Sequence, residues 1–399
     1  MSAAGPGRDE LPAELDPLAV EKRIAALRQG EMTVQAAPGA EVKVEQKRHE
    51  FLFGAAVANG LAENAGDAFA DGDRRMFLKI LSENFNYAVH ENALKWYDCE
   101  KKEGQVDYAV ADRIWEQCRD LGIPMRGHCI YWEKERCCMD WLKPLHPEQL
   151  RAAVVRRGLD VTRHFRGRIQ EFDLNNEMVN GDFFRRRLGY GIVNEMAWIV
   201  KAGNPDAVLF VNDYGNICDG GFNVESYEVQ IETLLASGVP LGGIGLQAHF
   251  GLNDKLLLDP RHVQQTLNRF GRFHLPIKIT ECLFDVGDAH AQAEQLRLIF
   301  PLYFAHPAVE AVLMWGFWAG SHWRPWAALW DKDWKITPQG EAYRDLVYNR
   351  WWTRASGKTD KSGVFKTRAF FGDYEITVNG KKQKAVFAKQ DTSTAIDVT

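Results

Sequence analysis

Two glutamates, Glu177 and Glu281, close two apolar runs of the sequence, IQEFDLNNE and PIKITEC. A carboxylic acid can protonate a leaving oxygen and a carboxylate can meet an oxocarbenium-like carbon, so such a pair can cleave a glycosidic bond. A glutamate at a strand end is more often a solvated or ion-paired rim group. Supporting residues must therefore decide between these two interpretations.

Polar and aromatic side chains also end most of the other apolar runs. Strand alternation puts Gln247 and His249 of GLQAHF on one face, so we expect both to act as donors to Glu281. The other strand-end side chains are Glu91, His128, Asp213 and Trp315.

The elements that carry these residues alternate short apolar runs with longer amphipathic segments, which predicts βα units on a parallel sheet. Eight such units over roughly 300 residues favour a closed (β/α)8 TIM barrel of the α/β class, whose active site lies at the carboxyl ends of the strands. No GxGxxG follows the first run, so a dinucleotide site is not expected. The eight runs are FLFGAAV, FNYAVHEN, PMRGHCIYW, IQEFDLNNE, AVLFVNDY, GIGLQAHF, PIKITEC and AVLMWGFW.

The segments outside the barrel predict a small β accessory unit built from N- and C-terminal strands, because an isolated hairpin is marginal in water. A β-hairpin is expected about Pro38-Gly39, and another about Asn379-Gly380. The predicted organisation is a flexible leader (1–18), an N-terminal helix and β-hairpin (19–50), the catalytic barrel (51–350), and a linker, TRASGKTDKSG, with a C-terminal β segment that pairs with the N-terminal hairpin (351–399).

Composition excludes several classes of function. The formal net charge of -5, without a basic run, argues against a nucleic-acid binder. No stretch approaches the roughly 20 apolar residues of a membrane helix. The seven Cys show no CxxC pair or zinc-like spacing and are interpreted as buried small hydrophobes, so we expect no metal site and no cofactor. Most of the 13 Trp should fill core, although their faces also suit sugar rings.

Eight motifs in register resemble glycoside hydrolase family 10, the endo-β-1,4-xylanase family, over about residues 48 to 348. They are FLFGAAV, HENALKW, RGHCIYW, Asn-Asn-Glu at 175 to 177, VNDY, GIGLQAHF, ITE and WGFWAGSHWRP. The resemblance implies a retaining, endo-acting hydrolase of β-1,4-linked xylan with Glu177 as acid/base and Glu281 as nucleophile. It also implies a polysaccharide as the partner, a monomer, and a secreted or periplasmic protein, although the sequence shows no signal peptide.

The same resemblance assigns the substrate-binding residues. Asn176 matches the residue that bonds the sugar 2-hydroxyl, and Tyr214, within the segment from Asn212, matches the leaving side. Trp318 is a spare aromatic candidate. The remaining matches are Glu91, Asn92 and Lys95 on the glycone side, His128 and Trp132 beside the cleaved unit, and Trp315 and Trp323 beneath it.

The sequence departs from the family pattern at several positions. Val89-His90 stands where the family has Thr-Pro, and Glu133 stands where it has His. Phe172 and Asn175 stand in place of Trp and Val, and the loop CCMDW at 137 to 141 differs from the family's loop. His90 and Glu133 are expected to border the glycone sites, so the departures concern substrate preference more than catalysis.

Alternative functions remain open at this point. One is a non-catalytic carbohydrate-binding barrel, and another is a relative that acts on a different β-linked glycan or aryl glycoside. A metal-dependent barrel hydrolase or aldolase is less well supported, because the sequence contains no HxH or HExxH.

Overall fold

The computed structural model describes residues 12–218, 220–251, 259–389 and 395–397. The chain enters through helix α1 (Pro17–Arg28), which begins where Asp16 caps the first turn and proline supplies the first helical φ. Of the expected flexible leader, residues 1–11 lie outside the described residues. The rest of that prediction is wrong, since Ala13–Leu15 form a 3-10 turn and Leu15 is buried.

Two strands, β1 (Gln29–Gln35) and β2 (Glu41–His49), follow α1. The predicted hairpin between them is wrong, because β1 and β2 belong to different sheets. Each strand buries one alternating face, and these faces, with Val34 and Val44 among their residues, meet in one apolar cluster. Burying both faces against each other explains why the chain crosses between two layers at Gly39 (φ 78°).

All eight predicted barrel runs form strands or strand pairs. Their bounds are β3 (Leu52–Val57), β4 (Tyr87–His90), β5 (Met125–Arg126), β6 (Tyr131–Trp132), β7 (Glu171–Asn176), β8 (Val208–Asp213), β9 (Leu241–Leu246), β10 (His249–Phe250), β11 (Ile277–Phe284) and β12 (Val309–Met314). Short β5 and β6 together make the third barrel strand, and β9 and β10 make the sixth.

The parallel ladder closes on itself. It runs in the order β5-β4-β3-β12-β11-β9-β8-β7-β6, and a parallel bridge between Gly127 and Phe172 joins the third strand to β7. Gly127 accepts from the Asp173 amide at 3.0 Å across this closure. The molecule is therefore a (β/α)8 barrel, as the sequence predicts.

Helices connect successive strands and cover the outside of the ring. They are α2 (Asp71–Asn84), α3 (Trp96–Cys99), α4 (Ala109–Asp120), α5 (Pro147–His164), α6 (Phe183–Leu188), α7 (Ile192–Gly203), α8 (Val224–Ala236), α9 (Pro260–Gly271), α10 (Ala289–Phe304) and α11 (Pro338–Arg344), which continues into a π-helical turn, Asp345–Arg350. In the part of the chain that the structure describes, no helix is long and apolar enough to cross a membrane.

Five C-terminal strands complete the accessory unit. They are β13 (Arg354–Lys358), β14 (Val364–Phe370), β15 (Gly372–Val378), β16 (Lys381–Phe387) and β17 (Ala395–Asp397). One sheet has the order β14-β1-β17 and the other β13-β2-β15-β16, so each N-terminal strand pairs with a C-terminal strand on both of its edges. The Asn379-Gly380 turn between β15 and β16 is confirmed, with both residues at positive φ.

The predicted linker is wrong over part of its length, because Arg354–Lys358 forms strand β13 antiparallel to β2. This strand lies at a sheet edge and leaves most of its small or charged side chains exposed. Backbone pairing holds it, so no apolar alternation marks it in the sequence.

Candidate active site

The nucleophile candidate Glu281 lies within β11 and is buried. Asn212 donates from Nδ2 to its Oε1 at 2.7 Å, and His249 donates from Nε2 to its Oε2 at 3.0 Å. Burial alone would raise the pKa of Glu281. The bond from His249 and the positive charges of His128, His249 and Lys95 outweigh it and lower that pKa to about 2. Glu281 is thus held as a carboxylate.

The acid/base candidate Glu177 follows the last residue of β7 and adopts a positive φ of 56°. Its amide donates to the carbonyl of Asn212 at 2.9 Å. Its Oε1 accepts a bond of 3.3 Å from Gln247 Nε2 and a longer one of 3.4 Å from Asn176. Both donors are neutral amides, so this carboxyl group lacks the cationic donors that surround Glu281.

Gln247 does not serve Glu281 in the way that the sequence suggested. Its side-chain amide contacts Glu177 and Asn176 instead, and only its backbone carbonyl accepts from the Glu281 amide, at 3.0 Å. The reason is that β9 ends at Leu246 and Ala248 has a φ of 61°, so strand alternation does not persist through Gln247 and His249.

Asn212 connects the two glutamates. Its amide donates both to Glu281 and to Asn176 Oδ1, the latter at 3.0 Å, while Thr280 Oγ1 donates to its Oδ1 at 2.6 Å. The Thr280 bond fixes the orientation of the Asn212 amide and therefore makes its nitrogen the donor to Glu281.

His128 is oriented from inside the barrel. Its Nδ1 donates to Asp173 Oδ2 at 2.8 Å, and Arg126 donates to the other oxygen at 2.6 Å. The far side of the ring, Nε2, lies 3.9 Å from Glu281 Oε1. The buried charges of Arg126 and Asp173 are therefore paired with each other, as buried charges require.

Glu91, Asn92 and Lys95 come together after β4. Lys95 Nζ donates to Asn92 Oδ1 at 3.1 Å and lies 4.7 Å from the centre of the Trp132 ring. Burial, with the charges of Asp67 and Glu281, raises the pKa of Glu91 to about 7 against the opposing charge of Lys95. Glu91 is therefore close enough to Glu281 for the negative charge of Glu281 to raise the pKa of Glu91.

Two of the tryptophans predicted in the site, Trp315 and Trp323, contact the histidines. The Trp315 ring contacts His128 edge-on, with centroids 5.2 Å apart, and Trp323 contacts His249 at 5.6 Å. Trp323 is 45% exposed, so its ring can meet a ligand. The spare candidate Trp318 cannot, because it is buried and stacks on Trp334 with centroids 4.2 Å apart.

Tyr214 follows β8 on the other flank. Lys134 Nζ donates to its hydroxyl at 3.0 Å and lies 5.0 Å from the centre of its ring. The neighbouring Asp213 is buried and accepts from the amides of Val179 and Tyr214 at 2.8 and 2.9 Å. Burial raises the pKa of Asp213 to about 7 despite these two bonds.

The two departures expected at the glycone rim, His90 and Glu133, point into the protein. His90 Nε2 bonds the Ala111 carbonyl of α4 at 3.0 Å. Glu133 is fully buried and accepts from Asn175 and from the Phe184 amide. Contact with the sugar is therefore not their role in this structure.

The sequence reasoning missed the supporting role of Asn212 and the whole Asp173–Arg126 pair. Asn212 and Asp173 both lie in motifs that were singled out, VNDY and FDLNNE. Polar residues in strands that are otherwise apolar were the available signal. Among the described residues, no group of three or more His, Cys, Asp or Glu is arranged to hold a metal ion.

Comparison with known proteins matches the model of glycosyl hydrolase family 10 to residues 44–347. The chain belongs to this family. It is 35% identical to anti-sigma-I factor RsgI6 of Acetivibrio thermocellus over 360 residues, 90% of this chain and 45% of that protein. It is 33% identical to endo-1,4-beta-xylanase 1 of Arabidopsis thaliana over 367 residues, 90% of this chain and 37% of that protein.

The family 10 fold is also found in solved structures. Native xylanase 10B from Thermotoga maritima superposes with a TM-score of 0.65 at 23% identity, over 75% of this chain and 96% of that one. The chain thus spans less than half the length of the two curated relatives but nearly all of a solved xylanase.

Proposed function

We propose that this protein is a retaining glycoside hydrolase that cleaves β-1,4 linkages within xylan. The observation that carries the proposal is the unequal environment of two buried carboxyl groups. Glu281 is surrounded by donors and cations that lower its pKa to about 2, whereas Glu177 receives bonds from neutral amides. One carboxylate suited to attack and one carboxyl group suited to carry a proton are what double displacement requires.

In the first step, Glu281 attacks the anomeric carbon and forms a bond to it, while Glu177 transfers its proton to the departing glycosidic oxygen. In the second step, Glu177 removes a proton from water, and the water oxygen displaces Glu281. Two inversions restore the starting configuration. Asn212 and His249 hold the two carboxylate oxygens of Glu281, the group that attacks in the first step and leaves in the second.

The xylan substrate, the endo mode and the binding roles follow from membership of family 10 and from the endo-1,4-beta-xylanase names of relatives. By that relation, Asn176 bonds the 2-hydroxyl, Glu91, Asn92 and Lys95 grip the glycone, and Tyr214 stacks on the leaving side. We further propose a monomer that acts outside the cytoplasm, where polymeric xylan is found.

The test is to incubate the protein with xylan, count new reducing ends, and follow the first-formed anomer of a xylo-oligosaccharide product by proton NMR. Retention is expected because the two carboxyl groups should lie about 5 to 5.5 Å apart, too close for a water between them. An inverted first product contradicts the mechanism, and binding without new reducing ends supports a non-catalytic barrel. A panel of decorated xylans, β-glucan and aryl glycosides then defines the preferred substrate.

A further inference from the structure

Two positions at which this chain departs from the family pattern contact each other in the interior. Asn175 Nδ2 donates to Glu133 Oε1 at 3.0 Å, and both side chains are fully buried. The Phe184 amide donates to Glu133 Oε2 at 2.8 Å, and Arg185 Nε donates to Oε1 at 3.3 Å. Asn175, Phe184 and Arg185 thus bond both carboxylate oxygens of Glu133 inside the protein.

Arg185 extends this contact to the neighbourhood of Glu177. Its guanidinium donates to the carbonyls of Met178 and Gly181, and Met178 is the residue directly after Glu177. The backbone of Glu133 also accepts from the Phe183 amide at 3.0 Å. Glu133 therefore bonds the C-terminal end of the segment 178–185 directly, and it is linked to the N-terminal end of that segment through Arg185.

Glu177 needs such support because its φ of 56° lies in the left-handed region. For a residue with a side chain this conformation is unfavourable and persists only where the surroundings fix it. Asn212 holds the Glu177 amide, and Asp213 holds the amide of Val179. Glu133 and Arg185 supply the remaining restraint, on the carbonyl side.

We propose that Glu133, acting through Arg185, is a positioning residue that aims the acid/base Glu177 at the leaving oxygen. The proposal rests on the proposed function, since it assumes that Glu177 delivers the proton. Removing one partner of a buried ion pair leaves the other charge uncompensated, so the segment should shift when Glu133 is neutralised. A small displacement of a proton donor reduces catalysis only where the leaving group needs the proton.

The experiment compares kcat/KM for two aryl β-xylobiosides, 2,4-dinitrophenyl and phenyl, in wild type and Glu133→Gln. The dinitrophenolate leaves without protonation, whereas the phenolate depends on it. For the variant we expect a loss on the order of tenfold or more on the phenyl substrate and a loss under about twofold on the dinitrophenyl substrate. Equal losses on both substrates, with a lowered melting temperature, would show a merely structural role and overturn the proposal.

Glu135→Gln is the matched control, because Glu135 lies two residues away and pairs with Arg186 at 2.9 Å on the exposed surface. It should keep the wild-type ratio between the two substrates. The double variant Glu133→Gln with Arg185→Gln should lose no more on the phenyl substrate than Glu133→Gln alone, because both residues act through one contact. Additive losses contradict this coupling.

If Glu133→Gln does not fold, Arg185→Lys replaces it, since lysine keeps the charge but lacks the second nitrogen with which arginine bonds Glu133 and the two carbonyls at once. The same dependence on the leaving group is expected, and its absence overturns the proposal. Wild-type hydrolysis of the dinitrophenyl substrate tests the proposed function separately. No hydrolysis by wild type refutes the function and the positioning role together, whereas an active wild type with equal variant losses refutes only the positioning role.

Discussion

His249 Nε2 lies 3.0 Å from Glu281 Oε2 and, among the residues that the structure describes, is the closest cationic or imidazole donor to the nucleophile. His128 is more distant, at 3.9 Å, and its ring is committed to Asp173 through Nδ1. The ionisation of Glu281 therefore depends on one side chain more than on any other in its surroundings. This dependence leads to the first prediction.

Replacing His249 by alanine should raise the pKa of Glu281, because burial then acts against fewer opposing groups. The pH below which kcat/KM falls should therefore rise by about one unit or more. The measurement is a pH profile with an aryl xylobioside. His164→Ala, which removes an imidazole bonded to Asp112 far from the site, is the control. An unchanged acidic limb contradicts the assigned role.

The depressed pKa of Glu281 should also appear in stability. An acid whose pKa is lower in the folded protein stabilises it above the unfolded value and loses that stabilisation as the pH falls through the folded value. Here the window runs from 4.5 down to about 2. Wild type should lose up to about 3 kcal/mol more unfolding free energy than Glu281→Gln across this window.

Urea unfolding at a series of pH values measures that difference. Glu294→Gln, the same change at a glutamate whose side chain is 70% exposed, serves as the control and should follow wild type. Parallel curves for wild type and Glu281→Gln are the result that rejects the prediction.

The roles of the two glutamates predict different substrate dependence. Glu281→Ala should abolish turnover of every substrate, because no covalent intermediate can form. Glu177→Ala should lose about 10² to 10⁴ in kcat/KM on xylan yet largely retain the first step on dinitrophenyl xylobioside, which needs little protonation. Steady-state kinetics on both substrates decide the matter, and an equal loss in the two variants would reverse or refute the assignment.

Two tryptophans five positions apart, Trp318 and Trp323, should behave differently. Trp318 is 6% exposed and stacks on Trp334, so Trp318→Ala should cost about 3–5 kcal/mol of stability. Trp323 is 45% exposed beside His249, so Trp323→Ala should keep the melting temperature and raise KM on the order of tenfold. Thermal melts and KM measurements separate the two effects, and the opposite pattern would exchange their roles.

The barrel was predictable from the sequence because each strand carries its own apolar run, and most of these runs end in a polar or aromatic residue. Glu177 follows this rule directly after β7, whereas Glu281 lies inside β11, which continues to Phe284. The accessory unit was predictable in part. The pairing of N- with C-terminal strands was predicted, and the structure has it. The separation of β1 and β2 into two sheets was not, because it depends on contacts between distant segments, and edge strand β13 buries too little to leave a pattern.

Side-chain direction inside the site was the least predictable feature. Gln247 was assigned to Glu281 by strand alternation, but the positive φ of Ala248 breaks the alternation. Glu133 was placed at the rim because it follows Trp132, yet it turns inward to Arg185. The direction of a side chain at a strand end is set by the groups that it contacts, and the sequence does not show which groups those are.

The pairing of Gln29 with Phe370 and of Val42 with Val378 has a consequence for the nascent chain. Strands β1 and β2 leave the ribosome before any barrel strand, and the strands that complete their sheets emerge only after the last barrel strand. The apolar faces that carry Met32 and Val44 therefore lack their C-terminal packing partners while the barrel forms. Closing both sheets is therefore a slow step that follows the synthesis of the barrel, because it joins segments far apart in the sequence. A chain that stops at residue 350 leaves both edges of β1 and both edges of β2 unpaired.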